Sequence, residues 1–222
     1  MNQLQNKIEK SPILLRVLPF FVFALLTFFQ GKFGEASRYW LYFIKTILGA
    51  GMIWAIRPHV AEMRWKISWE AVVIGIAVFG IWVGLDKFYP HLGGDTFPWN
   101  PQVQFGKNSG RAWLFIATRV IGSSLIVPPL EEIFYRSFLY RYIIQKDFLG
   151  ISLNHFRWSA LLVTSAIFGV VHHEWLAGIL CGLAYQGLVL RKNRLGDAMT
   201  AHAITNFLLA LWVVWRGDWK FW

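Results

Sequence analysis

The sequence predicts an all-α protein, a bundle of seven or eight transmembrane helices. Of its 222 residues, 56% are hydrophobic and only 15% are charged, whereas soluble domains are roughly 45–50% apolar and about 25% charged. The apolar residues form long runs, several of which approach the about 20 residues that a membrane-spanning helix needs. Many of the 13 tryptophans lie near the ends of these runs, as is typical of the aromatic belts at membrane interfaces.

Three apolar runs in the first half of the chain are predicted to be spans: 13–30, 39–56 and 69–85. Basic residues precede the first run, but no small-residue cleavage site follows it, so we interpret it as an uncleaved span rather than a signal peptide. Residues 86–110 are rich in proline and glycine and are predicted to form the longest loop.

The second half of the chain contains the remaining apolar runs: 111–127, 130–146, 158–171, 175–190 and 198–215. Pro128 and Pro129 separate the first two of these runs, and a proline is well tolerated in the first turn of a new helix. The bundle has seven spans if the segment after Pro129 extends the preceding helix, and eight if it crosses the membrane separately. We divide the single bundle into N-terminal spans with the long loop (1–110) and a catalytic helical core (111–216).

The net charge of +10 comes from basic residues that cluster between the apolar runs. This distribution is typical of membrane-flanking loops that face anionic lipid, so membrane lipid is a predicted partner. Motifs for nucleic-acid binding are absent from the sequence, and a nucleic-acid partner is not predicted. With seven spans, Lys7, Lys10 and the other basic loops predict a cytoplasmic N-terminus, whereas eight spans leave the orientation open.

Two adjacent carboxylates, Glu131 and Glu132, open the apolar helix that follows the double proline. Glu132 and Arg136 are four residues apart, so they share a helix face and can form an ion pair. Glu131 points about 100° away and keeps a free carboxylate for chemistry. The structural alternative is a helix start with two solvated acids, which the helix dipole favours.

Two further polar groups lie in apolar runs. His172 ends the run Phe168-Gly169-Val170-Val171. The alternative to a functional role is a structural one, in which this histidine lies at the membrane interface and bonds to a carbonyl. His202 and Asn206 share a helix face in the last run, where polar contacts between helices are the alternative. Polar side chains within spans are costly and usually functional. In separate segments of one bundle, these groups can converge.

The predicted chemistry of such a set is peptide-bond hydrolysis by activated water. Glu131 beside His172 can take a proton from water, and His202 with Asn206 can stabilise the oxyanion. Zinc is the alternative, with Glu131, His172 and His202 as ligands and water in the fourth position. The helical H-E-x-x-H signature is absent from the sequence. The sequence does not decide between the two mechanisms, and we favour the one without a metal cofactor.

The motifs E-E-x-x-x-R, F-x-x-x-H and H-x-x-x-N, in this order and in apolar segments, resemble the CAAX protease and bacteriocin-processing (Abi) family of type II CAAX prenyl endopeptidases. The resemblance covers about 111–211 and also extends to related proteins of bacterial exosortase systems. It implies eight spans, a base at Glu131 with His172 as its partner, an oxyanion pair at His202 and Asn206, and supporting roles for Glu132 and Arg136. Ser137 departs from the family, which very often has glycine there.

These observations predict an intramembrane endopeptidase in a bacterial inner membrane, acting on a membrane-associated or lipidated peptide or protein. One alternative is a non-proteolytic immunity or assembly factor that retains the protease fold. A second alternative is a transporter with a proton relay, for which Lys45 and Arg119 are candidates. Transporters often show two related halves, and the sequence shows no such repeat.

Overall fold

The computed structural model describes residues 11–92 and 98–222, and within these ranges the secondary structure is entirely helical. This confirms the predicted all-α class. Lys7 and Lys10, which entered the orientation argument, lie outside the described ranges. In chain order, the helices are α1 (Pro12–Phe28), α2 (Ser37–Ile56), α3 (Trp69–Leu85), α4 (Pro101–Phe105), α5 (Gly110–Ile144), α6 (Trp158–Val170), α7 (Trp175–Lys192) and α8 (Gly196–Arg216).

The protein is an integral membrane protein. Within the described ranges, four helices are long and apolar enough to cross a membrane by length and composition. They are α5, α8, α2 with the turn after it, and α3 with the turn after it. Helices α1 and α6 are shorter and also apolar. Trp69, Trp158 and Trp215 lie at helix ends and are largely exposed, as expected for side chains at a membrane interface.

Helix α5 continues through Pro128 and Pro129 instead of ending there, so the segment after the prolines extends the preceding span. A proline inside a helix removes one N–H and clashes with the carbonyl four residues earlier. Here the helix widens into a π-helical stretch at Gly122–Ile126, in which the Val127 N–H bonds to the Gly122 carbonyl. A second π-helical stretch follows at Ile133–Leu139. The wider turns accommodate the prolines. Because α5 is one continuous helix, the structure agrees with the lower of the two predicted span counts, which is seven.

Local signals in the sequence set several helix ends. The hydroxyl groups of Ser11, Ser68 and Ser109 each accept a backbone N–H in the first turn of α1, α3 and α5, as N-cap residues do. At the other end, Asn193 and Gly217 adopt left-handed conformations that terminate α7 and α8. The predicted span limits therefore agree closely with the observed helices.

Helices α6 and α7 approach each other closely at two glycines. A Cβ atom on Gly169 would lie 2.6 Å from the Trp175 carbonyl oxygen, and one on Gly178 would lie 2.9 Å from the Gly169 Cα. Small residues allow such backbone contact between membrane helices. Since His172 follows directly after α6, this packing fixes the position of the turn that carries it.

Contacts between the loops define two ends of the bundle. The end that we call the site end includes 86–92, the 171–174 turn and the terminal segment 217–222. There, the Leu92 N–H donates to the His173 carbonyl, and Lys220 pairs with Asp86 at 2.5 Å. The opposite end, which we call the basic end, contains the loops 57–68, 145–157 and 193–195.

A buried polar network at the basic end explains Ser137. Its hydroxyl donates to Glu62 Oε1 at 3.1 Å and accepts from Arg16 at 3.0 Å and Arg141 at 2.8 Å. Burial alone would raise the pKa of Glu62, but the two guanidinium groups outweigh it and hold that pKa below its ordinary value. A glycine at 137 would leave this network without its central hydroxyl.

Candidate active site

Side chains from α5, α8 and the turn after α6 line one cavity of about 180 Å³ near the site end. Four of the predicted site residues lie in its wall: Glu131, His172, His202 and Asn206. They are separated by up to 75 positions in the chain, and only the packing of the helices brings them together. The other two predicted residues, Glu132 and Arg136, lie behind this wall. Glu132 contacts both His202 and Arg136.

Glu131 faces the cavity with an available carboxylate. Its side chain retains 19% of its exposure, while its Oε2 atom is buried and accepts no hydrogen bond from the residues in the described ranges. The His202 Nε2 atom is 4.0 Å from this oxygen, a separation longer than a direct hydrogen bond. An oxygen with unused lone pairs beside an imidazole is suited to bind and deprotonate a water molecule.

Glu132, one position further along α5, points away from Glu131 and is completely buried. Its Oε1 atom is 2.9 Å from His202 Nδ1, and its Oε2 atom is 3.1 Å from Arg136 Nε. The second contact is an ion pair whose N–H is not aligned for a hydrogen bond. The Arg136 guanidinium also lies 4.4 Å from the centre of the Phe168 ring. Arg136 thus positions Glu132, and Glu132 orients the His202 ring.

The local contacts of His172 define which of its nitrogens faces the cavity. Its Nδ1 atom is 2.6 Å from the carbonyl oxygen of Phe168, four residues earlier. A carbonyl only accepts hydrogen bonds, so Nδ1 carries the hydrogen and Nε2 of the neutral ring retains its lone pair. The neighbouring His173 instead bonds to the Leu92 carbonyl and stacks on His91. The F-x-x-x-H spacing therefore selects the imidazole that lines the cavity.

Asn206 satisfies a carbonyl that the π-helical stretch in α5 leaves without a helical partner. The Ser123 carbonyl would normally bond to the Val127 N–H, but that N–H bonds to Gly122, and Pro128 has no N–H to offer. The Asn206 Nδ2 atom donates to this carbonyl at 2.9 Å. This contact fixes the orientation of the side-chain amide and leaves its second N–H for another acceptor.

The cavity also includes residues outside the predicted set. Glu174 lies in the wall and is 7% exposed, and burial raises the pKa of its carboxyl despite the nearby His173, His172 and His91. Arg119 and Trp82 line the same cavity. In the sequence, Glu174 directly follows the paired histidines. Arg119 is a charged residue inside an apolar run.

Three of the cavity residues, Glu131, His172 and His202, are the candidate ligands of the alternative mechanism that uses zinc. Within residues 11–92 and 98–222, no group of three His, Cys, Asp or Glu side chains is placed to hold a metal ion. Glu131, His172 and His202 nevertheless all lie in the wall of the cavity. Cys181 also lines the cavity as a free, buried thiol.

The fold and the cavity define a class: a polytopic helical membrane protein that gathers a carboxylate, two imidazoles and a carboxamide within its bundle. Residues 110–208 match the family model described as Type II CAAX prenyl endopeptidase Rce1-like. No curated protein and no solved structure gives a significant match. The matched segment includes all six predicted site residues.

This match covers a little under half of the chain and supports the resemblance to the type II CAAX prenyl endopeptidases, within the CAAX protease and bacteriocin-processing proteins. The match supports a CAAX-type intramembrane protease, a class of enzyme whose substrates are peptides or proteins. The resemblance to the proteins of exosortase systems stays a prediction.

Proposed function

We propose that this protein hydrolyses a peptide bond of a membrane-associated substrate, with Glu131 as the base that activates water. The observation that carries the proposal is the shared cavity of Glu131, His172, His202 and Asn206. Two of these side chains suit proton transfer, and two suit the stabilisation of a developing negative charge. The mechanism that we favour uses these groups without a metal ion.

Glu131 and His172 supply the groups for water activation. The Glu131 carboxylate accepts a proton from water, and the oxygen of that water attacks the carbonyl carbon of the scissile bond. The lone pair on His172 Nε2 accepts a hydrogen bond from the same water and orients it. When the tetrahedral intermediate collapses, the proton on Glu131 passes to the departing amine, so the carboxylate is regenerated and no covalent intermediate forms.

His202 and Asn206 supply donors for the oxyanion. Asn206 uses one N–H on the Ser123 carbonyl and has the other available. In its imidazolium form, His202 donates from Nδ1 to Glu132 and retains the Nε2 hydrogen for the substrate. Each such donor contributes about 10²- to 10³-fold to the rate of a reaction with an oxyanion intermediate.

An apolar groove on the outer side of the same helices supports a membrane-associated or lipidated substrate. It has a volume of about 650 Å³ and lies between α5 and α8. Its lining alternates with that of the cavity, because Ser123 and Asn206 face the cavity while Ser124 and Phe207 face the groove. A hydrocarbon chain in this groove would lie beside the two helices that carry the catalytic groups.

The proposal is tested with co-expressed, epitope-tagged membrane peptides and with the purified protein in proteoliposomes. We expect wild type to cleave a subset of these peptides and Glu131→Gln to abolish cleavage, because the amide cannot take the proton from water. Glu35→Gln, which changes an exposed glutamate, is the matched control and should retain activity. Cleavage that persists in Glu131→Gln, or a biological activity that survives it, would favour the non-proteolytic alternative.

A further inference from the structure

The segment 217–222, which we call the strap, folds back over the candidate active site. Gly217 ends α8 with a left-handed φ of 67° and reverses the chain, and a short helical turn follows it. Two side chains of the strap, Phe221 and Trp222, then line the same cavity as Glu131. The strap therefore supplies part of the cavity wall, on the side that faces the site end.

The two aromatic side chains of the strap pack against different parts of the bundle. Phe221 contacts the larger hydrophobic core of the protein. Trp222 packs against a smaller cluster, which is formed by Tyr39, Tyr42, Trp99 and Phe115. The ring centre of Trp222 is 5.7 Å from that of Trp99. Because both strap side chains also face the cavity, the strap lies across the cavity between these two packed regions.

Among the described residues, one ion pair ties the strap to another part of the chain. The Lys220 Nζ atom is 2.5 Å from the Oδ2 atom of Asp86, which lies in the turn after α3. The hydrogen bond to this carboxylate raises the pKa of Lys220 above its ordinary value, so both groups are charged at neutral pH. Asp86 is buried, whereas 48% of the Lys220 side chain is exposed. The tether is therefore open to solvent on the side of the strap.

The cavity is too small to hold a peptide while the strap is in place. Its volume is about 180 Å³, whereas pockets that bind small molecules usually have about 300–1,000 Å³. A peptide also brings the residues on both sides of its scissile bond into the site. The helices that carry Glu131, His202 and Asn206 are packed in the bundle, whereas the strap is held by one ion pair and two aromatic side chains. Segments with so few buried contacts open locally at a low cost in free energy.

We propose that the strap is a lid that closes the cavity in the resting protein and swings out about Gly217 to admit the peptide substrate. This inference rests on the proposed function, because it assigns the strap a role in access to that site. An entering peptide displaces Phe221 and Trp222 from the cavity wall. When the strap returns, the same aromatic surface covers the bound peptide, and such closure excludes bulk water from a reaction.

Cys181 reports the opening of the lid without any need for catalysis. It is the single cysteine of the chain, and it is a buried residue in the cavity wall. The probe is sulfonatoethyl methanethiosulfonate, a small anion that reacts with thiols and stays out of lipid. The rate at which it modifies the purified Glu131→Gln protein is measured by mass spectrometry. We expect Lys220→Gln to raise this rate about three- to tenfold, because losing the ion pair favours the open strap.

Lys87→Gln is the matched control, because it removes a positive charge from an exposed residue adjacent to Asp86. It should leave the rate unchanged, and so should Lys220→Arg, which keeps the ion pair. Asp86→Asn breaks the same pair from the other side and should act as Lys220→Gln does. Loss of a positive charge disfavours an anionic probe, so attraction of the probe does not explain a faster reaction. An unchanged rate in Lys220→Gln and Asp86→Asn, or an equal rise in Lys87→Gln, would overturn the proposal.

Cleavage of tagged membrane peptides in the wild-type background separates this inference from the proposed function. At low substrate concentration, Lys220→Gln should raise the rate of cleavage together with the rate of Cys181 modification. If cleavage requires Glu131 but Lys220→Gln does not raise it, the protease proposal stands and the assignment of the lid fails. If cleavage occurs without Glu131, the proposed mechanism fails, and the modification of Cys181 still decides whether the strap opens.

Discussion

Removing Arg136 should destabilise the protein more than most single substitutions, because it leaves the carboxylate of Glu132 without its cation. Glu132 is 0% exposed and Arg136 is 1% exposed, so solvent does not screen this pair. Breaking a buried ion pair by removing one partner costs about 3–5 kcal/mol. We expect Arg136→Met, which keeps much of the side-chain volume, to lower the free energy of unfolding by about this amount.

The double substitution Glu132→Gln/Arg136→Met is the control for this prediction. Replacing both charges removes the uncompensated carboxylate, so the double variant should recover most of the lost stability. Unfolding of the purified proteins by denaturant in detergent, followed by tryptophan fluorescence, gives the comparison. A loss below about 1 kcal/mol for Arg136→Met, or a double variant less stable than both single variants, would refute the assignment of a buried ion pair.

Three further predictions concern other contacts. Asn206→Leu leaves the Ser123 carbonyl unpaired and should lower stability by about 1–3 kcal/mol and kcat by about 10²- to 10³-fold; an unchanged kcat would exclude Asn206 as an oxyanion donor. Ser137→Ala removes the hydroxyl that binds Glu62 and should lower stability by about 1–3 kcal/mol without loss of activity per folded molecule; equal unfolding of the two proteins would contradict this. Because burial raises the pKa of Glu174, its protonated form stabilises the folded state below the unfolded pKa of about 4.3, and this contribution is lost as the pH rises through the folded pKa. Glu174→Gln should therefore gain stability relative to wild type between about pH 4 and neutrality, and parallel curves of unfolding free energy against pH would refute the prediction.

The sequence predicted the helices of the bundle well because their signals are local. Apolar runs identify the spans, and serine caps or left-handed Asn193 and Gly217 mark several ends. The continuity of α5 was left open, because a double proline ordinarily starts or ends a helix. The widened turns that carry α5 through Pro128 depend on packing and on the bond from Asn206, and neither can be read from the local sequence.

The candidate site was predictable where polar side chains interrupt apolar runs. Glu131, His172, His202 and Asn206 stood out for this reason, and the spacing of Glu132 with Arg136 indicated their pairing. The contact between Glu132 and His202 joins residues 70 positions apart, so it depends on how α5 packs against α8. Glu174 was not among the predicted site residues, and only the fold of the 171–174 turn brings it into the cavity.

The most direct test of the central claim compares peptide cleavage by wild type and Glu131→Gln, each with and without a strong zinc chelator. Our account predicts that wild type retains its activity in the chelator and that Glu131→Gln is inactive in both conditions. Loss of wild-type activity in the chelator, with recovery after zinc is added back, would contradict the metal-free mechanism. That result would make Glu131, His172 and His202 metal ligands in the active protein.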